Sequence, residues 1–265
     1  MTHLTEEQTR ALARRFAVEV QHLEECGECR SRLREVAAEE DGGYRAALIR
    51  AAAGTLRRIP AVRAEKAAAP DLLAELLAMP EVERETALAL ESRFHSYALA
   101  SYILKRCETE IPRDPGQGRV LARLARAVTE QVDPRSCGGT AALADLAAYS
   151  FAMEGETLRV SGDPEQALRF FAESRLHEER GGADPDLAAR IDLLEAVLRR
   201  DLGQMESALG LLDRSAETFM ALKEHDQLAR ILVHRASFLR LGNRGKRPSS
   251  VLGMGTVPAR QYRSH

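Results

Sequence analysis

Three glycines set the strongest constraint on this chain. Gly162, Gly203 and Gly242 each close a stretch of helical apolar spacing, at steps of 41 and 39 residues. After the first two a second helical stretch follows. A helix buries one stripe only, so units of this kind cover their apolar faces by stacking on one another. The spacing predicts an all-α protein in which helical hairpins stack as an α-solenoid.

Composition agrees. The 265 residues are 45% hydrophobic but only 5% aromatic, with no Trp. Ala, Leu, Arg and Glu dominate; these favour helices, and the residues that favour strands are scarce. Lys plus Arg number 38 against 40 Asp plus Glu, a formal charge of −2 that argues against a whole-protein nucleic-acid binder. No apolar run is long enough to span a membrane, and Met1 to Arg15 lacks the apolar core of a signal peptide. The expected location is the cytoplasm, where four cysteines stay thiols or bind metal.

The chain divides into four expected regions: 1–40, a small helical module; 41–80, a helical linker; 81–243, the repeats; and 244–265, a disordered basic tail. In the first region Thr5 with Gln8 fits a capping box, and helices are expected to about Phe16, over Glu19–Glu25 and over Arg30–Glu40. Tyr44–Arg58 is helical up to Ile59-Pro60, an Ala-rich spacer follows, and Leu72–Met79 forms a short helix after Pro70. The repeat region is read as helices at Glu81–Glu91, Phe94–Glu110, Arg119–Val132, Ala141–Ser161, Pro164–Glu179, Pro185–Asp201, Met205–Lys223 and Asp226–Leu241. Short loops make neighbours antiparallel. From Arg244 to His265 the period stops and five Lys/Arg occur with no acid, leaving Ile231, Leu232, Phe238 and Leu239 without a covering partner. Self-association through this end is expected.

Residues 148–182 resemble a tetratricopeptide repeat, carried by Phe151, Gly155, Leu158, Gly162, Ala167 and Phe171. Small residues at Gly155 and Ala167 let two helices approach while the larger ones fill the space around them. The next unit keeps Gly203, Ala208 and Leu212 but has Asp192, Ala196 and Arg199; the third keeps Phe238 and Gly242; an earlier one spans about 94–134 with Gly118 and Ala122. The resemblance implies a concave face lined by the first helix of each hairpin. There it places Glu156, Arg159, Arg190, Arg200 and Arg240 as residues for a protein or peptide partner. Arg159, Arg200 and Arg240 recur about every 40 residues, as a ladder suited to acidic peptides or as an ordinary solvated surface.

His22-x3-Cys26-x2-Cys29 is the one cluster with ligand chemistry. His22 and Cys26 share a helix face, and Gly27 allows both thiolates to meet one ion. Together with its helical surroundings the motif resembles the zinc-containing anti-sigma-factor module. That resemblance implies a fourth ligand from an upstream helix, for which His3 stands 19 residues before His22. Zinc, a relic without metal and a thiol redox pair all fit the residues, although the last lacks its usual βαβ setting. Cys107 and Cys137 are isolated and read as small buried residues. Glu91 and His95 share a helix face by spacing and read as a solvated pair. The sequence holds no triad context, P-loop or carboxylate pair. The expected function is a non-catalytic bacterial adaptor of the tetratricopeptide type with a zinc-finger-like head. The alternative is a transcription regulator of the anti-sigma-factor type, sensitive to zinc or thiol redox state.

Overall fold

The computed structural model describes residues 44–245 together with Glu28 and Ser31, with side chains over 61–240. Among the described residues there is no strand. The helices are α1 Tyr44–Ala78, α2 Glu81–Leu90, a 3-10 turn Ser92–Phe94, α3 Tyr97–Glu110, α4 Pro115–Gln131, α5 Pro134–Cys137, α6 Thr140–Val160, α7 Pro164–Glu178, α8 Pro185–Asp201, α9 Met205–Leu222 and α10 His225–Gly245. The chain separates into two compact units, the boundary falling after Tyr102 within α3.

In the first unit α1 runs unbroken through Pro60 and Pro70, where stops were expected. An interior proline removes one hydrogen bond and crowds the preceding turn. Around Pro70 the flanks are Ala- and Leu-rich, and Ala69, Leu73 and Leu76 are buried, so packing and propensity carry the helix across that position. Its final carbonyls are satisfied from α2: Arg84 donates Nε to the Leu76 carbonyl at 2.9 Å and a terminal nitrogen to that of Met79 at 3.1 Å. Arg93 grips Glu75 with both terminal nitrogens, and the Ser96 hydroxyl donates to Glu65 at 2.8 Å.

Four helices of the second unit open on the same dipeptide. Asp114-Pro115, Asp133-Pro134, Asp163-Pro164 and Asp184-Pro185 each place an aspartate at the cap, accepting an exposed backbone N–H, and a proline at the first helical position. This is why α4 starts at Pro115, four residues before the expected Arg119. Two other boundaries repeat each other closely. Gly162 (φ 83°) ends α6, with Gly162 N–H donating to the Arg159 carbonyl and Asp163 N–H to that of Leu158, both at 3.0 Å. Gly203 (φ 76°) ends α8 through the same bonds 41 residues on, to Arg200 at 2.9 Å and from Gln204 to Arg199 at 2.8 Å. Open space surrounds both glycines, so it is the left-handed backbone of the cap that asks for glycine.

The third glycine behaves otherwise. Gly242 lies inside α10, which continues to Gly245. A glycine inside a helix only weakens it. The turn between α9 and α10 is made by Lys223, left-handed at φ 61° as Ala183 is at 56° between α7 and α8, with Glu224 N–H donating to the Phe219 carbonyl at 3.0 Å.

The helix pairs carry the 41-residue step in their packing. The Ser174 hydroxyl of α7 donates to the Ala148 carbonyl of α6, and Ser215 of α9 donates to Ala189 of α8, both at 2.7 Å and both across 26 residues. Farther along α6, a side chain on Gly155 would stand 3.0 Å from the Phe171 ring and 3.4 Å from the Ala167 carbonyl. Numbers rise on α6 as they fall on α7, so the pair is antiparallel and closely crossed. Each pair's core is completed by the helix that follows. Leu187, Ile191 and Leu198 of α8 join Ala152, Leu158, Ala167 and Phe171, and Ile231 and Phe238 of α10 join Ala196, Ala208, Leu212 and Phe219. Truncating such a buried phenylalanine to alanine costs about 3–5 kcal/mol.

The second pair departs from the first at one position with a clear physical substitute. Phe151 stacks on His177 at 5.1 Å and meets Phe170 at 6.0 Å. Forty-one residues later stands Asp192, 7% exposed, bound by Arg175 at 2.5 Å and Arg214 at 3.1 Å. Buried Glu195 joins the network through Arg175 at 2.8 Å and Arg199 at 2.7 Å. An aromatic contact is thus replaced by an ion network in which every buried carboxylate is paired. At the end of the repeats Ile231 and Phe238 are buried, against the expectation that they lie bare, whereas Leu232 and Leu239 are each 50% and Val233 70% exposed.

Candidate ligand-binding cleft

A cleft of about 100 Å³ opens in the second unit, walled by α6 and α8, with the end of α3 on one side and α10 on the other. Its lining falls into two rows. Tyr149 and Met153 of α6 and Arg190 and Leu194 of α8 stand one 41-residue step apart at equivalent positions, and Glu108 in the last turn of α3 and Pro112 just beyond it extend the rows by the same interval in number only. The first row is polar and the second apolar; Ile111 and Leu193 add to the floor, while Glu156, Gln227 and Arg230 complete the rim.

The polar row is bonded along its length. The Tyr149 hydroxyl donates to the Glu108 carboxylate, and an Arg190 terminal nitrogen lies 3.9 Å from the same carboxylate. Arg190 Nε donates to Asp186 at 2.7 Å. Burial first, then the Glu108 charge, pushes the Tyr149 phenol well above its ordinary value, and Arg190 opposes the shift. The phenol therefore stays a donor at neutral pH. Beside it, burial followed by Glu108 and Glu156 raises the Cys107 thiol to about 12. Cys107 Sγ donates to the Gly118 carbonyl at 3.2 Å, so this buried thiol is inert, as the sequence suggests. Cys137 is half-buried.

Of the residues expected on the concave face, Glu156 and Arg190 line the cleft. Arg159 lies beside it, its Nε and one terminal nitrogen both 2.7 Å from Glu156 oxygens, its other terminal nitrogen 2.7 Å from Asp201. Asp201 also accepts from Arg200 at 2.9 and 2.7 Å, and the Arg200 guanidinium lies 4.9 Å over the Phe238 ring. Burial opposes ionisation of Asp201, yet Arg200 and Arg159 hold its carboxyl below the ordinary value. Two rungs of the arginine ladder are thus joined through one carboxylate. Arg240 is exposed and makes no ion pair among the described residues.

Glu108, Tyr149, Met153, Leu194, Gln227 and Arg230 were missed in the sequence. Counting back 41 from Arg190 finds Tyr149, a signal that was available; Glu108, at the end of α3, and Arg230 meet the cleft only in the folded chain. Glu91 and His95 do not share a helix face, because α2 ends at Leu90. A His95 ring nitrogen lies 2.7 Å from the Leu88 carbonyl, and Glu91 accepts from Arg93. His3, His22, Cys26 and Cys29 lie outside the described residues. Among the described residues no group of three or more His, Cys, Asp or Glu is placed to hold a metal ion, and no helix is long and apolar enough to cross a membrane. No protein-family model, no curated protein and no solved structure matches this chain.

Proposed function

We propose that the chain is a non-catalytic cytoplasmic adaptor, a solenoid of tetratricopeptide-like hairpins that holds a protein or peptide in the cleft across its first helices. The observation that carries this reading is the pair of rows at 41-residue steps. The α6 and α8 helices contribute equivalent residues to one strip, extended by Glu108 and Pro112 at the end of α3, apolar on one side and hydrogen-bonding on the other. A strip of that kind suits an extended polypeptide better than a compact metabolite, because the strip runs along the repeat axis. The Cys26 and Cys29 thiolates with His22, and His3 as fourth ligand, form a zinc-binding head in this reading, supported by their spacing.

The test is comparative capture on the full chain. Leu194 lines the cleft wall half-buried and also packs on the α6–α8 core, so Leu194→Glu alters the strip and the thermal midpoint reports any cost to the core. Proteins retained by the wild type should be lost from Leu194→Glu while its thermal midpoint holds. Identical retention by both, or by neither, would overturn the reading.

A further inference from the structure

We propose that the cleft accepts an aliphatic side chain of the partner together with a carboxylate next to it in the partner's sequence, the carboxylate pairing with Arg230. This rests on the cleft being a polypeptide site, and adds what kind of segment it selects.

The apolar half of the argument is the floor. Met153, Leu193 and Leu194 present hydrocarbon to a space on the scale of one branched side chain, and burying such a group there is favourable.

The charged half comes from asking which lining charges are already answered. Glu108 is engaged by Tyr149 and faces Arg190, and Glu156 is held by two nitrogens of Arg159. Arg190 is held by Asp186. Arg230 differs: its terminal nitrogen reaches only the Gln227 side-chain oxygen, at 3.3 Å, and it pairs with no carboxylate among the described residues. The other charges about the cleft are matched, Glu108 against Arg190 and Glu156 against Arg159, so an incoming carboxylate meets a guanidinium whose fork no carboxylate holds.

The experiment uses fluorescence anisotropy of the full chain with three fluorescein-labelled, C-terminally amidated hexapeptides: Gly-Ser-Leu-Glu-Ser-Gly, the same with Gln for Glu, and the same with Ala for Leu. Blocking the terminus removes its carboxylate, and the fluorescein anion is common to all three probes, so differences between them report the side chains. The Leu-Glu probe should bind about fivefold tighter than either relative, the scale of one exposed ion pair. Arg230→Gln should bring the Leu-Glu probe down to the Gln probe and leave the latter unchanged. Equal binding of the Glu and Gln probes, or equal weakening of both by Arg230→Gln, overturns the inference. If Leu194→Glu nonetheless abolishes both, the cleft remains a polypeptide site and only the charge selection fails. Absence of binding by every probe also overturns the inference, whereas the capture experiment separately decides the broader reading.

Discussion

The Tyr149 hydroxyl, midway along α6, donates to the carboxylate of Glu108 in the last turn of α3, 41 residues earlier. This side-chain bond ties the end of α3 to α6 at the cleft. Tyr149→Phe leaves the ring and removes only the donor, so Glu108 keeps Arg190 as its one remaining partner. A loss of about 1 kcal/mol in unfolding free energy is expected from denaturant titration. An unchanged midpoint would mean that solvent replaces the hydroxyl without cost.

Lys223 holds a left-handed backbone at the turn into α10, as Ala183 does at the turn into α8, whereas Gly162 and Gly203 hold it at the turns into α7 and α9. Lys223→Gly removes the strain of a side chain there but widens the unfolded ensemble. The balance is a gain of about 0.5–1 kcal/mol. Gly203→Ala should destabilise instead. Thermal midpoints that move the same way in both variants would contradict the assignment of the turns.

Asp201 supplies a pH signature. Its folded carboxyl titrates below 3.8, the ordinary value, because Arg200 and Arg159 outweigh burial. A lowered carboxyl pKa contributes stability that is complete above the unfolded value and lost as pH falls through the folded one. Asp201→Asn should therefore cost about 1 kcal/mol at neutral pH, and the gap from wild type should close as pH drops below 3.8. A gap that persists undiminished in acid would assign the loss to packing.

For the head, atomic absorption on purified protein should find one zinc per chain, and Cys26→Ser with Cys29→Ser should remove it. The unfolding transition of the repeats should stay in place, since their cores use none of these residues. Equal metal content in the double variant would end the zinc proposal.

At the far end, Leu232, Val233 and Leu239 are exposed on α10. Sedimentation should show association that rises with protein concentration, and Leu232→Glu with Val233→Glu should abolish it. A wild type that stays monomeric when concentrated would show that these side chains are tolerated singly.

Helix identity was largely legible in the sequence, because the apolar period and the Asp-Pro starts are local. Pro185–Asp201 falls where its spacing places it, and Gly162 and Gly203 turn as expected. What failed were judgements that depend on tertiary surroundings. Pro60 and Pro70 carry strong local stop signals, yet α1 passes through both. Gly242 carries the same signal as Gly203, but lacks a following cap. The arginine ladder was read by type and interval, which cannot show that Asp201 lies between Arg159 and Arg200. Tyr149 and Glu108 drew no notice because neither belongs to a motif; they meet only when the end of α3 packs beside α6.

The interval between the rungs makes this protein sensitive to length in a way that it is not sensitive to identity. Met153 and Leu194 differ in shape yet occupy one row, so exchange of one apolar residue for another is absorbed. One residue inserted between Tyr149 and Gly162 would turn the earlier part of α6 by about 100° relative to its cap and take Tyr149 away from Glu108. The segment joining α7 to α8, the natural place to absorb such a slip, is itself fastened, with Gly182 N–H donating to both oxygens of Asp145 at 3.0 Å. Variation in this chain should accordingly run through substitution, while single-residue insertions and deletions within Tyr149–Arg190 are selected against.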